Sequence, residues 1–321
     1  MMERQRNCTT VNKAAIFLAG ALAVCLAAKA ATDFMDTVRS GGSAVPAGAR
    51  ATLNIVDWNI DRGARLEGIT AGLKSQEPDI AILQEVDLNA RRSDRLDVAR
   101  ELGARLNLNY VFGPEFQELG QGSGEMPAYH GQAILTSLPL RSTRIIRFAR
   151  QSGFWKPRPM LPSWALFQRR LGGRIALVAE LDFKGTKLVV YNLHLESRSG
   201  GAIQYDQVKE VLADAGQYPK DTPIIIAGDL NTKYPPSIRN CLKLLNDNGF
   251  ESAFGQRHLR THVLIGDLDW IFTRGAIALS GAQVLHDAHG SDHYPISAKL
   301  RFTGTSSGRF LSQTASAKAS R

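Results

Sequence analysis

A chain of 321 residues with 44% hydrophobic and 21% charged residues can bury a sizeable core as one large domain or two small ones, and it reads as globular. The formal net charge of +9 suits a polyanionic partner such as nucleic acid, anionic lipid headgroups or a phosphorylated metabolite, and it equally fits a merely soluble basic surface. Three cysteines exclude a disulfide framework, because Cys8 and Cys25 lie before or within an apolar leader and a cleaved chain would keep Cys241 alone. No Cys/His cluster has zinc spacing, so Cys241 reads as buried filler in a helical stretch.

Arg4, Arg6 and Lys13 precede a charge-free run from position 14 to 28, AAIFLAGALAVCLAA. That run is short for a membrane span, which needs about 20 apolar residues, and Ala28-Lys29-Ala30 offers a small-x-small cleavage pattern. Residues 1–30 are therefore expected to be a signal peptide that exports the protein to the periplasm or the outside. A retained N-terminal anchor and lipidation at Cys25 are the rival fates. Residues 31–50, with Ser40-Gly41-Gly42-Ser43 and Pro46, are expected to be a flexible linker.

A domain is expected over residues 51–302. Strand-like runs at 53–60, 79–84, 131–136, 174–183, 187–195, 223–228, 268–272 and 296–302 alternate with helical patterns at 66–75, 94–106 and 202–215. This is an α/β pattern. Residues 303–321, rich in Ser, Thr, Ala and Gly, read as a disordered tail. One stretch departs from the average: from Arg141 to Arg174 there are nine Lys or Arg and no Asp or Glu, with Phe154, Trp155, Trp164 and Phe167 among them. Its part at 148–170, opening on Phe148 and closing on Arg170, suits a phosphate-rich polymer or a membrane interface, and equally a solvated loop whose aromatics pack on the domain.

Polar residues recur at predicted strand ends: Asn59 after LNIVDW, Glu85 after IAILQ, His194 after LVVYNL, Asp229 and Asn231 around the end of IIIAG, and Asp292-His293 before the last strand. Strand ends converge on one rim of a sheet, where ligands gather. Each residue alone also fits a turn former, a solvated charge or a hydrogen-bonded histidine. Together, Trp58-Asn59-Ile60, Leu83-Gln84-Glu85-Val86, Asn192-Leu193-His194, Gly228-Asp229-Leu230-Asn231, Leu268-Asp269-Trp270-Ile271-Phe272 and Gly290-Ser291-Asp292-His293-Tyr294-Pro295 resemble, in order, the motifs of the endonuclease/exonuclease/phosphatase superfamily. The resemblance covers about residues 51–302. It implies a DNase I-like four-layer α/β/β/α sandwich of two packed mixed β-sheets, with the active site at the top.

The chemistry needs these residue types. A phosphate ester is cut by an in-line water on an anionic centre, so positive charge and a stabilised leaving oxygen must be supplied. The expected metal ligands are Glu85, Asn59 and Asp292, holding Mg²⁺ with Mn²⁺ as the alternative. His293, with Asp269 accepting from its ring, is a base or a phosphate-orienting cation. Asp229 is the other candidate base, Asn231 holds water or a phosphoryl oxygen, and His194 donates to the phosphate or leaving oxygen. The expected function is a metal-dependent phosphodiesterase acting on nucleic acid or another phosphate ester, as a monomer. A sphingomyelinase-like phospholipase, an inositol-phosphate phosphatase and a non-catalytic phosphate-binding module are the alternatives. His130, His262, His286 and His289 and the run Arg91, Arg92 and Arg95 are further residues near the motifs, and the long loop at 114–130 is an expected specificity element.

Overall fold

The computed structural model describes residues 34–42, 51–154, 156, 160, 162, 164–255 and 257–303. The expected leader, the tail from 304 onward, and Trp155 and Arg158 of the basic stretch lie outside these residues. Two mixed sheets pack face to face. The first runs β1 (Arg39–Gly41), β4 (Asn109–Glu118), β5 (Ala128–Thr136), β3 (Ile80–Leu88), β2 (Thr52–Arg62), β14 (Ile296–Phe302) and β13 (Ile277–Val284), with β7 (Arg170–Gly172) pairing on β4. The second runs β11 (Glu251–Ser252), β12 (Asp269–Arg274), β10 (Ile224–Asp229), β9 (Thr186–His194), β8 (Ile175–Phe183) and β6 (Leu140–Arg147).

Helices α1 (Leu66–Gln76) and α2 (Val98–Leu106) cover the first sheet, and α3 (Ala202–Ala215) and α4 (Pro235–Asp247) cover the second. The residue alternation of β2 shows why. Leu53 and Ile55 enter the core between the sheets, whereas Val56, Trp58 and Ile60 join Ile69 and Leu73 of α1 on the outer face. The same period of two turns Asp57 and Asn59 inward, toward the second sheet. Cys241 is buried in α4, and burial pushes its thiol up to about 12, which suits filler.

Four expectations change. Residues 34–42 are not free linker: β1 pairs antiparallel with β4, Phe34 stacks on Tyr129 at 4.0 Å, and the Met35 carbonyl accepts from Arg147 at 2.5 Å. Backbone pairing and one aromatic contact outweigh a Ser/Gly composition there. The loop at 114–130 shrinks to residues 119–127, because β4 continues to Glu118 and β5 begins at Ala128. The helix expected over 94–106 starts only at Val98, since Arg91–Ser93 form a 3-10 turn and Asp97 accepts from the Arg100 N–H as a cap. Phe148 is buried in the core and so is no surface aromatic.

A polar bridge ties the sheets below the rim. Gln84 Nε2 donates to Asp57 Oδ1 at 2.8 Å and, across the seam, to Asn192 Oδ1 at 2.9 Å; Asn192 Nδ2 donates back to the carbonyls of Leu83 and Ala133 at 2.8 and 2.9 Å. Gly228, φ +136°, lies so close to β9 that a Cβ would sit 2.0 Å from the Leu193 carbonyl oxygen. Two outcomes follow for urea unfolding. Asn192→Leu is expected to lower stability by about 1–3 kcal/mol through unpaired buried carbonyls, and Gly228→Ala by more than about 1 kcal/mol through strain. An unchanged midpoint for either would show that the seam tolerates the loss.

Candidate active site

Strand register assembles the site. Asp229 is the register partner of His194 on parallel β9 and of Asp269 on antiparallel β12, so three functional side chains from three strands stand in one row at the rim. The inward phase of β2 brings Asn59 over this row from the opposite sheet, where its Nδ2 donates to Asp229 Oδ2 at 3.2 Å. Asn231, φ +50°, folds its backbone N–H onto Asp229 Oδ1 at 2.8 Å and its Nδ2 onto the Leu195 carbonyl at 3.1 Å. The Asn231 amide oxygen is thereby left for other donors.

His293 enters from the turn before β14. Ser291 Oγ donates to the Asn59 carbonyl at 2.6 Å and accepts from the His293 N–H at 3.1 Å, while Trp58 Nε1 donates to the His293 carbonyl at 2.8 Å. The ring then meets Asp269 Oδ2 through Nδ1 at 2.8 Å and faces Asp229 Oδ2 through Nε2 at 3.9 Å. Burial works against its charge, but Asp269, Asp229 and Asp292 raise His293 to about 10. At neutral pH it is an imidazolium, with a proton on each nitrogen. Burial, then the charge of Asp269, pushes Asp229 above the ordinary carboxylate range, against the pull of His293 and His194. The inward Asp57 is raised further, by burial and by Asp269, and was not singled out from sequence.

His194 has a partner set that the sequence did not reveal. Arg174 Nη1 lies 2.7 Å from His194 Nδ1 and 2.8 Å from Glu115 Oε2, all three side chains being buried. Glu115 Oε1 also lies 3.4 Å from Nδ1, but a guanidinium only donates, so at the shorter contact Nδ1 accepts from Arg174 and Nε2 carries the proton. That nitrogen faces Asp229 Oδ2 at 3.7 Å. Arg174 is the positioning residue of His194. Glu115 lies on a strand whose hydrophobic period is interrupted by buried charge, which is why pattern reading missed it. His262 is similar: its Nδ1 accepts the N–H groups of Leu264 and Ile265 at 2.9 and 3.1 Å, so its Nε2–H points toward Asp292 Oδ2 at 3.6 Å.

Glu85 stands at a register shift in the β3 and β5 pairing with φ +53°, and among the described residues its one ion-pair contact is Arg62 at 3.9 Å. Although burial opposes it, His130, His194, Arg62 and Arg174 hold the Glu85 carboxyl well below the usual range, fully ionised. Asp292 is half exposed beside His262. Among the described residues, the carboxylate and imidazole groups within 4.8 Å of one another are Asp229, Asp269 and His293, and His262, Asp292 and His293; Glu85 joins neither. Both groups contain His293, whose Nδ1 meets Asp269, and His262 spends the lone pair of its Nδ1 on backbone. The carboxylate and amide oxygens of Glu85, Asp292 and Asn59 suit a hard divalent cation.

Of the further residues, His130 is buried with Nδ1 at 2.8 Å from Asp87, and Arg92 grips the same carboxylate through Nε and Nη2 at 2.7 and 2.8 Å. Arg92 is thus structural, while Arg91 and Arg95 are exposed. His286 sits edge-on to Tyr294, apart from the row.

The chain belongs to the endonuclease/exonuclease/phosphatase family, whose model matches residues 58–293. No curated protein matches its sequence. Among solved structures, an endonuclease/exonuclease/phosphatase from Beutenbergia cavernae is 17% identical over 79% of this chain and 72% of that one, with a TM-score of 0.60. The human Nocturnin catalytic domain with bound sulfate is 20% identical over 83% and 98%, TM-score 0.61. D. rerio TDP2 complexed with a single-strand DNA product is 21% identical over 78% and 100%, TM-score 0.53. These likenesses show the DNase I-like sandwich, and the family sets the class of chemistry, hydrolysis at phosphate esters.

Nitrogen-15 NMR of the imidazoles at pH 7.5 is expected to show His293 protonated on both ring nitrogens and His194 carrying its proton on Nε2 rather than Nδ1. A neutral His293 would remove its cationic role.

Proposed function

We propose that this chain is an exported, divalent-metal-dependent phosphodiesterase, most simply using Mg²⁺ with Mn²⁺ as substitute. The observation that carries this is the row of His194, Asp229 and Asp269 under Asn59 and His293, because it offers one base and two donors to a single point. Asp229 takes the proton of the attacking water. Its raised affinity for protons makes it a stronger base than an ordinary carboxylate, and Asn59 and Asn231 hold it in place. The Asn231 amide oxygen accepts from the same water.

His293, its charge favoured by Asp269 and Asp229, donates from Nε2 to a phosphoryl oxygen in this reading, with Asp269 fixing the ring. The Nε2–H of His194 donates to the phosphate or the leaving oxygen. Glu85, with Asn59 Oδ1 and Asp292, would hold the metal, which supplies charge neutralisation at the phosphate and leaving oxygen. Nucleic acid and phospholipid headgroups both present the required diester, and the basic rim suits either polyanion. Export rests on the leader-like residues 1–30, and a monomer is the working state.

Bis-p-nitrophenyl phosphate tests the reaction. Hydrolysis with Mg²⁺ or Mn²⁺ is expected, lost with EDTA, and Glu85→Ala and Asp229→Ala are each expected to lower kcat on the order of 10²-fold or more at unchanged Tm. A wild-type chain inactive on diesters, including plasmid DNA and sphingomyelin, would return the fold to a phosphate-binding module. For pH dependence, kcat is expected to rise as Asp229 loses its proton above the ordinary carboxylate range. It should fall as His293 deprotonates near about 10, an alkaline limb absent from His293→Gln. Near-normal turnover of Asp229→Ala would remove it as base.

A further inference from the structure

Strand polarity divides the connections of this fold between two rims. The catalytic rim carries the turns after β2, β3, β4, β6, β9 and β10 and those before β12 and β14; the opposite rim carries the turns before β3 and β4 and those between β5 and β6, β8 and β9, and β12 and β13. Every exposed large hydrophobic side chain among the described residues lies on the catalytic side, and the opposite rim has none. Met126 projects from the turn between β4 and β5 and Tyr234 from the turn after β10. Met160, Trp164 and Leu166, 103, 65 and 83% exposed, project from the long β6 to β7 connection, and Leu264, 88% exposed, from the turn beside His262.

Described residues of these loops are held by hydrogen bonds and burial. Gln168 Nε2 donates to the Lys156 and Arg170 carbonyls at 2.8 and 2.9 Å, Phe148 anchors the other end in the core, and His262 Nδ1 accepts the Leu264 N–H. Exposed Lys156, Arg169, Arg257 and Arg260 share the same loops, and residues 148–169 contain no acid. Apolar tips and cations carried on the same loops match a surface with an anionic face and an apolar layer beneath it.

We propose that the catalytic rim is a docking face for an anionic lipid bilayer, with the loop tips entering the headgroup boundary and the cations meeting lipid phosphates. The substrate is then a headgroup phosphodiester of the lipid surface itself. This substrate class rests on the phosphodiesterase reading; the docking does not. Nucleic acid fits less well, because bases stack on aromatic faces, and most of the exposed set is aliphatic Met, Leu and Ile, which gain little from a charged sugar-phosphate chain.

The test uses the full chain and vesicles with brominated acyl chains, made of phosphatidylcholine alone or with phosphatidylglycerol. Trp58 and Trp270 are buried, so quenching of tryptophan emission reports the β6 to β7 loop and not the leader. Quenching is expected with the anionic vesicles. Leu166→Ser with Leu264→Ser should reduce it on the order of tenfold in lipid required, at unchanged Tm. Chain that sediments with the vesicles yet shows no quenching would overturn the docking. So would variants that keep full quenching, or that instead lose binding of a single-stranded oligonucleotide in fluorescence anisotropy. Quenching by a chain inactive on bis-p-nitrophenyl phosphate would leave the docking standing and remove only the phosphodiesterase reading.

Discussion

Three buried carboxylates, those of Asp57, Asp229 and Asp269, meet where the two sheets converge, and that many acids at such spacing cannot all ionise unaided. The rest of the rim answers this constraint. His293 brings a positive charge against Asp269 and Asp229, Asn59 and the Asn231 N–H donate to Asp229, and Gln84 donates to Asp57. Burial, with the charge of Asp269, raises the proton affinity of Asp57 well above the ordinary carboxylate range. Repulsion that would destabilise an ordinary core is thereby converted into a carboxylate with raised basicity beside an imidazolium.

A second group of charges spans the two sheets beside this row. Glu115, Arg174 and His194 form one chain of contacts, and Asp87, Arg92, His130, Glu118 and Arg170 form another. Removing one member of such a buried pair leaves an uncompensated charge, so these networks hold their geometry firmly. Glu85 lies at their edge, ionised by surrounding cations on a backbone in the left-handed region. Asn231 shares that conformation. Strained backbone of this kind concentrates where side chains must be aimed, and here both residues stand at the catalytic rim.

Much of the framework was legible in the chain order. The apolar runs of β2, β3, β9, β10 and β14 and the α3 period gave themselves away by hydrophobic spacing, and α3 occupies the residues expected of it. Strands β4 and β6 did not. β4 carries Glu115, Gln117 and Glu118, and β6 carries Arg141, Arg144 and Arg147, polar residues whose partners lie elsewhere in the chain. A charge paired with a distant mate, buried on β4 and partly exposed on β6, erases the alternation that marks a strand. Arg174 and Glu115 went unassigned for the same reason.

By itself the sequence determined which residue types stand at which strand ends, because period-two alternation and short terminal motifs are local and survive in one dimension. It also determined the basic, acid-free stretch and the apolar leader-like run. Only the tertiary structure decided that His194, Asp229 and Asp269 share one row, that His293 is set between Asp269 and Asp229, that Arg174 lies against Nδ1 of His194, and that the exposed apolar tips crowd one rim. Register across a sheet, the electrostatic sum at a buried proton and the sidedness of a loop all depend on groups far apart in the chain, and folding alone brings them together.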